Sequence, residues 1–148
     1  MNRRQKALLI NVILIAILTT VIVVGMVNLK DWINRSEAML AMEQLSQEVL
    51  EYRKKHGSVP PEFFIDQIKP NLPGRARLGA LKYRARWIEF GCPPDEILAY
   101  SPKNYTSSIF GKGYVVLRFD GRVEWMEKEK FEELLAKKQS LLEIQMSQ

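Results

Sequence analysis

The sequence predicts an α+β protein: a long N-terminal helix, membrane-spanning and then amphipathic, packed on a small antiparallel sheet of three or four strands with a helix at the C-terminus. Three observations carry this. An uncharged apolar run occupies residues 7–29, a helical apolar rhythm follows it as far as His56, and two alternating β-rich runs meet at Asp120-Gly121. With 47% hydrophobic and 26% charged residues, the 148-residue chain sits at globular averages, which excludes disordered and collagen-like classes. The single Cys92 excludes an internal disulfide and any multi-cysteine metal site, and the single His56 excludes a histidine-rich metal centre.

The run from Ala7 to Leu29 follows Arg3, Arg4 and Lys6. At about 1.5 Å per residue it reaches about 34 Å, enough for a hydrocarbon core of about 30 Å. Ile and Val dominate it, but in lipid a lone segment must satisfy its own backbone, so it is a helix. A cleaved signal peptide has a shorter apolar core and a small-residue cleavage site, and neither stands here. A buried soluble helix is rarely apolar on every face for this length. The expectation is a retained single-pass anchor in the inner (cytoplasmic) membrane. The basic stub 1–6 places the N-terminus in the cytoplasm and everything after about residue 30 on the periplasmic or extracellular side. Inside the span, Asn11 and Gly25 fall on one helix face with Leu18 and Trp32. A paired amide and a small residue suit association with another span, whereas an Asn11 near the interface is simply hydrated.

Residues 30–57 continue the helix amphipathically, with Met42, Leu45, Val49 and Tyr52 on one face and Trp32, Met39 and Leu40 upstream. Gly57 supplies the left-handed terminator and Pro60-Pro61 prevents resumption. Residues 58–148 are the exported α+β domain. Pro61 to Ile68 is a short helix with Pro at its first position, and Pro70 to Gly74 is loop. Leu81 to Trp87 alternates as a half-buried strand, Cys92 to Asp95 turns, and Glu96 to Tyr100 is a second strand. Lys103 to Gly113 reads as loop. Tyr114–Phe119 and Arg122–Met126 form a hairpin through a two-residue Asp120-Gly121 turn, with Leu117, Phe119, Val123 and Trp125 on one face. Glu127 to about Gln145 is one helix lined by Phe131, Leu134, Leu135, Leu141 and Leu142, with a Glu133–Lys137 pair on its surface.

The layout resembles the type IV pilins and type II secretion pseudopilins. The likeness rests on the element order, on Leu50 to Pro60, where the long helix ends at its first loop, and on Arg118 to Trp125 followed by Glu129 to Leu135. The resemblance implies a pilin-like fold and a non-enzymatic role through protein contacts in the cell envelope, in secretion. Its partners would be membrane lipid and other envelope or secretion proteins, or further copies of the chain. The chain departs from the family at its start: there is no prepilin cleavage motif, and no Glu precedes Glu37. The alternative is a bitopic scaffold or regulatory subunit of a membrane complex, in cell division or sensing, without pilin ancestry.

Chemistry is sparse. His56 sits in a basic helix end, where a cation complements the dipole. Cys92 has no base beside it, Asp95 and Glu96 point apart on an extended chain, and no phosphate loop is present. No catalytic residue, cofactor, metal or small-molecule substrate is expected. Setting aside Arg3, Arg4 and Lys6 leaves 19 basic against 17 acidic residues, so the pI of about 9.4 does not imply nucleic acid. Lys82, Arg84 and Arg86 share one face of the predicted strand as a candidate contact for an anionic surface such as lipid headgroups, at about 1 kcal/mol per residue. The competing reading is a solvated face that discourages edge pairing.

Overall fold

A 54-residue helix, α1 (Arg3–His56), about 80 Å long, organises the molecule. The computed structural model describes residues 2–88, 91–107 and 111–146. Asn2 caps the start of α1 and Gly57, at φ 73°, closes it. Then follow α2 (Glu62–Ile68), a 3-10 turn at Lys69–Asn71, α3 (Arg75–Leu78), β1 (Lys82–Tyr83), β2 (Ile97–Asn104), β3 (Lys112–Arg118), β4 (Val123–Glu127), α4 (Lys128–Lys138) and α5 (Leu141–Met146). The strands form one antiparallel sheet in the order β1-β2-β3-β4, so the fold is α+β as expected.

The second half of α1 lies across one sheet face. Ala38, Ala41, Met42, Leu45 and Val49 are buried with Leu98, Ala99, Val115 and Leu117, and Val123 and Trp125 pack at the margin. Burying each of the Met, Leu and Val side chains here contributes on the order of 1.5–3 kcal/mol, which fixes this stretch of helix to the sheet. The chain passes close to α1 at Gly74 (φ 73°), where an added Cβ would come within 3.1 Å of the Glu37 carbonyl and 3.5 Å of the Ala41 Cβ. The opposite sheet face carries Ile97, Val116 and Met126 under Phe131 of α4, whose ring stacks on Tyr114 at 4.0 Å. Along α1, Asp31 meets Ser107, Ser46 meets Gly121 and Arg53 meets Phe119. The domain therefore runs alongside the helix from the end of the apolar segment to its C-terminus.

Several expectations need correction. The predicted strand Leu81–Trp87 pairs only at Lys82↔Tyr100 and Tyr83↔Ala99, and Ala85–Trp87 is a 3-10 turn. Pairing stops where β2 is irregular between Ile97 and Ala99 and where the Arg84 side chain turns inward. β2 and β3 extend into the expected loop from both sides, and its residues 108–110 lie outside the described residues. The hairpin has three loop residues, not two: Arg118 N–H donates to the Arg122 carbonyl, Gly121 N–H to the Arg118 carbonyl, and only Gly121 takes a positive φ. Phe119 consequently leaves the shared apolar face and lies against Arg53 at 4.0 Å. The expected single C-terminal helix breaks at Gln139-Ser140, and Leu141 and Leu142 are exposed while Glu143 is buried. The Glu133–Lys137 pair forms at 2.6 Å.

Candidate functional site

The three residues of the predicted basic row do not share a face. Lys82 is exposed on β1, and Arg86 is exposed and 3.7 Å from Glu62. Arg84 is buried, its side chain 4% exposed. Its Nε and Nη2 donate to the two oxygens of Glu143 at 2.6 and 2.9 Å, and Nη1 donates to Glu96 Oε1 at 2.9 Å and to the Ile97 carbonyl at 2.7 Å. A guanidinium is the group suited to this task, because its planar fork binds a carboxylate with two parallel bonds. Lys138 closes the cluster, 3.2 Å from Glu96 Oε2 and 3.5 Å from Asp95 Oδ2. Asp95 and Glu96, expected to diverge, therefore converge on one ammonium.

The electrostatics follow from burial against pairing. Burial opposes the Arg84 charge, but the bonds to Glu143 and Glu96 outweigh it and raise its pKa. Burial likewise pushes the Glu96 carboxyl up, and the bonds from Arg84 and Lys138 carry it below the ordinary range. Pairing thus favours the charged forms of both Arg84 and Glu96. A cleft of about 370 Å³ opens beside it, lined by Arg84, Trp87, Cys92, Glu96, Lys138 and Ser140. Burial, and then the Glu96 charge, push the Cys92 thiol up, so the thiolate that nucleophilic chemistry needs is disfavoured. His56 is at the end of α1 instead, its Nδ1 3.1 Å from the Tyr52 carbonyl and its ring stacked on Tyr52 at 4.1 Å. Among the described residues no group of three His, Cys, Asp or Glu is arranged to hold a metal.

The other sequence-predicted positions lie on the first half of α1. Residues 7–26 are all exposed, and α1 is long and apolar enough to cross a membrane. The hydroxyls of Thr19 and Thr20 donate back to the Ile15 and Ala16 carbonyls at 2.8 and 2.9 Å, so both are satisfied within the helix. Asn11 is exposed, and a Cβ at Gly25 would meet nothing within 4 Å. Both positions are open to a neighbour. Asp31 stands two residues past the apolar run. It is buried, and its Oδ2 accepts the Ser107 N–H at 2.7 Å. No local signal marks that contact; the two residues are 76 apart in sequence.

No protein family, curated protein or solved structure matches this chain.

Proposed function

We propose that this is a non-enzymatic, single-pass membrane protein of pilin-like build, anchored in the inner membrane with its N-terminus in the cytoplasm, that acts through protein contacts on the far side. The observation that supports it is the division of α1: one unbroken helix has a bare apolar half and a half held by its own sheet. A pilin-like protein has its sheet on the helix that leaves the membrane. A coiled-coil scaffold, the competing reading, keeps that helix free for a second helix, whereas here Ala38, Ala41, Met42, Leu45, Ser46 and Val49 are covered by the chain itself.

Two measurements test the proposal. Protease added to intact spheroplasts is expected to digest nearly everything after residue 30, and full protection would overturn the orientation. Amine-reactive crosslinking of whole cells is expected to trap the chain with itself or with another envelope protein. A chain that stays monomeric at every crosslinker concentration would overturn the contact role.

A further inference from the structure

The end of the domain nearest the apolar helix is held at a fixed height. Asp31 accepts the Ser107 N–H just beyond the apolar run, so the β2–β3 connection is tied to the first turn outside it. From Ser107 the extended chain reaches Asn104 within about 10 Å and Lys103 within about 14 Å. Lys112 lies opposite Asn104 in the β2–β3 ladder and so stands at the same level. A headgroup layer extends about 5–8 Å beyond the hydrocarbon core, and the screening length at physiological salt is about 8 Å. Lys30, Lys103 and Lys112 are therefore within electrostatic reach of the bilayer surface.

The carboxylates at this end are mostly committed. Asp31 is buried on Ser107, and Glu37 accepts Arg77 Nε at 2.6 Å. Glu127, opposite Gly113, stays exposed and is followed by Lys128. Among the described residues Lys30 and Lys112 form no ion pair. The Lys103 ammonium donates to the Arg77 carbonyl, not to a carboxylate, and burial with the Arg77 charge nearby pushes its pKa down to about 8. A shallow cleft of about 370 Å³ opens here, lined by Lys103, Asn104, Lys112, Tyr114 and Lys128 and by no carboxylate. Trp32, 55% exposed on α1 and three residues past the apolar run, is of the residue type that anchors spans at the interface.

We propose that this end of the domain, through Lys30, Lys103 and Lys112, docks on the headgroups of anionic phospholipids in the leaflet that α1 leaves. It replaces the Lys82, Arg84 and Arg86 row as the lipid-facing surface: Arg84 is internally paired, and α1 carries that region away from the bilayer. The inference rests on the anchor reading above. Docking would hold the domain upright on the membrane, so that the covered half of α1 and the sheet present a constant face to partners.

The test uses the full chain in nanodiscs of mixed phosphatidylcholine and phosphatidylglycerol, with native mass spectrometry counting retained lipid. Phosphatidylglycerol is expected to be retained in preference, and the Lys103→Gln/Lys112→Gln variant to lose about five-fold of that preference per lysine. The Lys103→Arg/Lys112→Arg variant keeps both charges and should keep the preference. An undiminished preference in the Gln variant would show that Lys103 and Lys112 do not carry it and overturn the proposal, as would its loss in the Arg variant. Abolition of the preference by millimolar inorganic phosphate would also overturn it, marking a site for free phosphate. Failure to enter nanodiscs at all would strike the anchor reading, whereas entry without preference strikes this inference alone.

Discussion

At Gly121 two constraints meet in one residue. Its φ of 93° is strained for any side chain, and an added Cβ would sit 2.8 Å from Leu50 Cδ1 and 3.1 Å from Ser46 Oγ, whose hydroxyl donates to the Gly121 carbonyl. Gly121→Val should lower the stability of the full chain in detergent by about 2 kcal/mol or more, read as a fall in the thermal midpoint. An unchanged midpoint would mean that the loop repacks without cost. Lys103 makes the opposite kind of prediction. Its folded pKa of about 8 lies below the ordinary 10.5, so between those values the unfolded chain holds more protons than the folded one. Stability from this residue therefore rises with pH across that window, and the cost of burying the charge is fully felt below it. Wild type minus Lys103→Met should show that rise between pH 8 and 10, and a flat difference would refute it. The place of the hairpin at Asp120-Gly121 was legible because turn chemistry is local, although its loop has three residues rather than two. The burial of Arg84 was not, because it depends on Glu96 and Glu143, 12 and 59 residues away.

Among elements, α5 reverses the usual orientation of a surface helix. Leu141 is 81% exposed, while Glu143 points inward to Arg84 and its N–H is capped by the Ser140 hydroxyl at 3.2 Å. The apolar spacing of residues 131–142 predicted one continuous face. The break at Gln139-Ser140 rotates the last turns so that a carboxylate, not a leucine, meets the domain. Removing one partner of a buried pair leaves an uncompensated charge, so Arg84→Ala should cost about 3–5 kcal/mol. Glu143→Gln is expected to be milder because Glu96 still faces the guanidinium. It should free α5 while leaving the sheet intact, seen as faster hydrogen exchange confined to residues 139–146. Exchange that stays slow there would show that α5 is held by something other than the ion pair. Glu96 adds a pH dependence of known sign. Its folded pKa lies below the ordinary 4.5, so its contribution is complete above that value and is lost as acid carries the pH down through the folded pKa. Glu96→Gln should flatten the acid limb of the stability curve. The sheet was largely legible from alternation, since β2, β3 and β4 each overlap a predicted strand. Of the predicted strand Leu81–Trp87 only Lys82–Tyr83 pairs, as β1: alternation cannot reveal that a row of cations is interrupted by an inward guanidinium.

Over the whole molecule, α1 is the part that reads most directly from sequence, because both of its halves are defined by period and charge rather than by distant partners. Its first half is apolar on every side and bare; its second is apolar on one side, and that side is covered. A continuous helix couples the two, so any association of the span sets how neighbouring domains face each other. Asn11 and Gly25, two heptads apart, are exposed on the bare half and fall near one face. An amide bond between spans contributes about 0.6 kcal/mol on average and under about 2 at most, and a glycine adds close backbone approach without enthalpy of its own. Such a contact biases assembly but does not drive it. Asn11→Leu/Gly25→Leu should therefore reduce, and not abolish, the yield of crosslinked multimers in membranes. Insertion should be unchanged because both substitutions raise apolarity, and the thermal midpoint should be unchanged because neither residue touches the domain. Equal crosslinking before and after the double change would show that the span is an anchor only. The exposed flank of the second half of α1, or the outer surface of the domain, would then be what neighbours touch. Complete loss of multimers would instead give the span the leading part, more than one amide and one glycine account for.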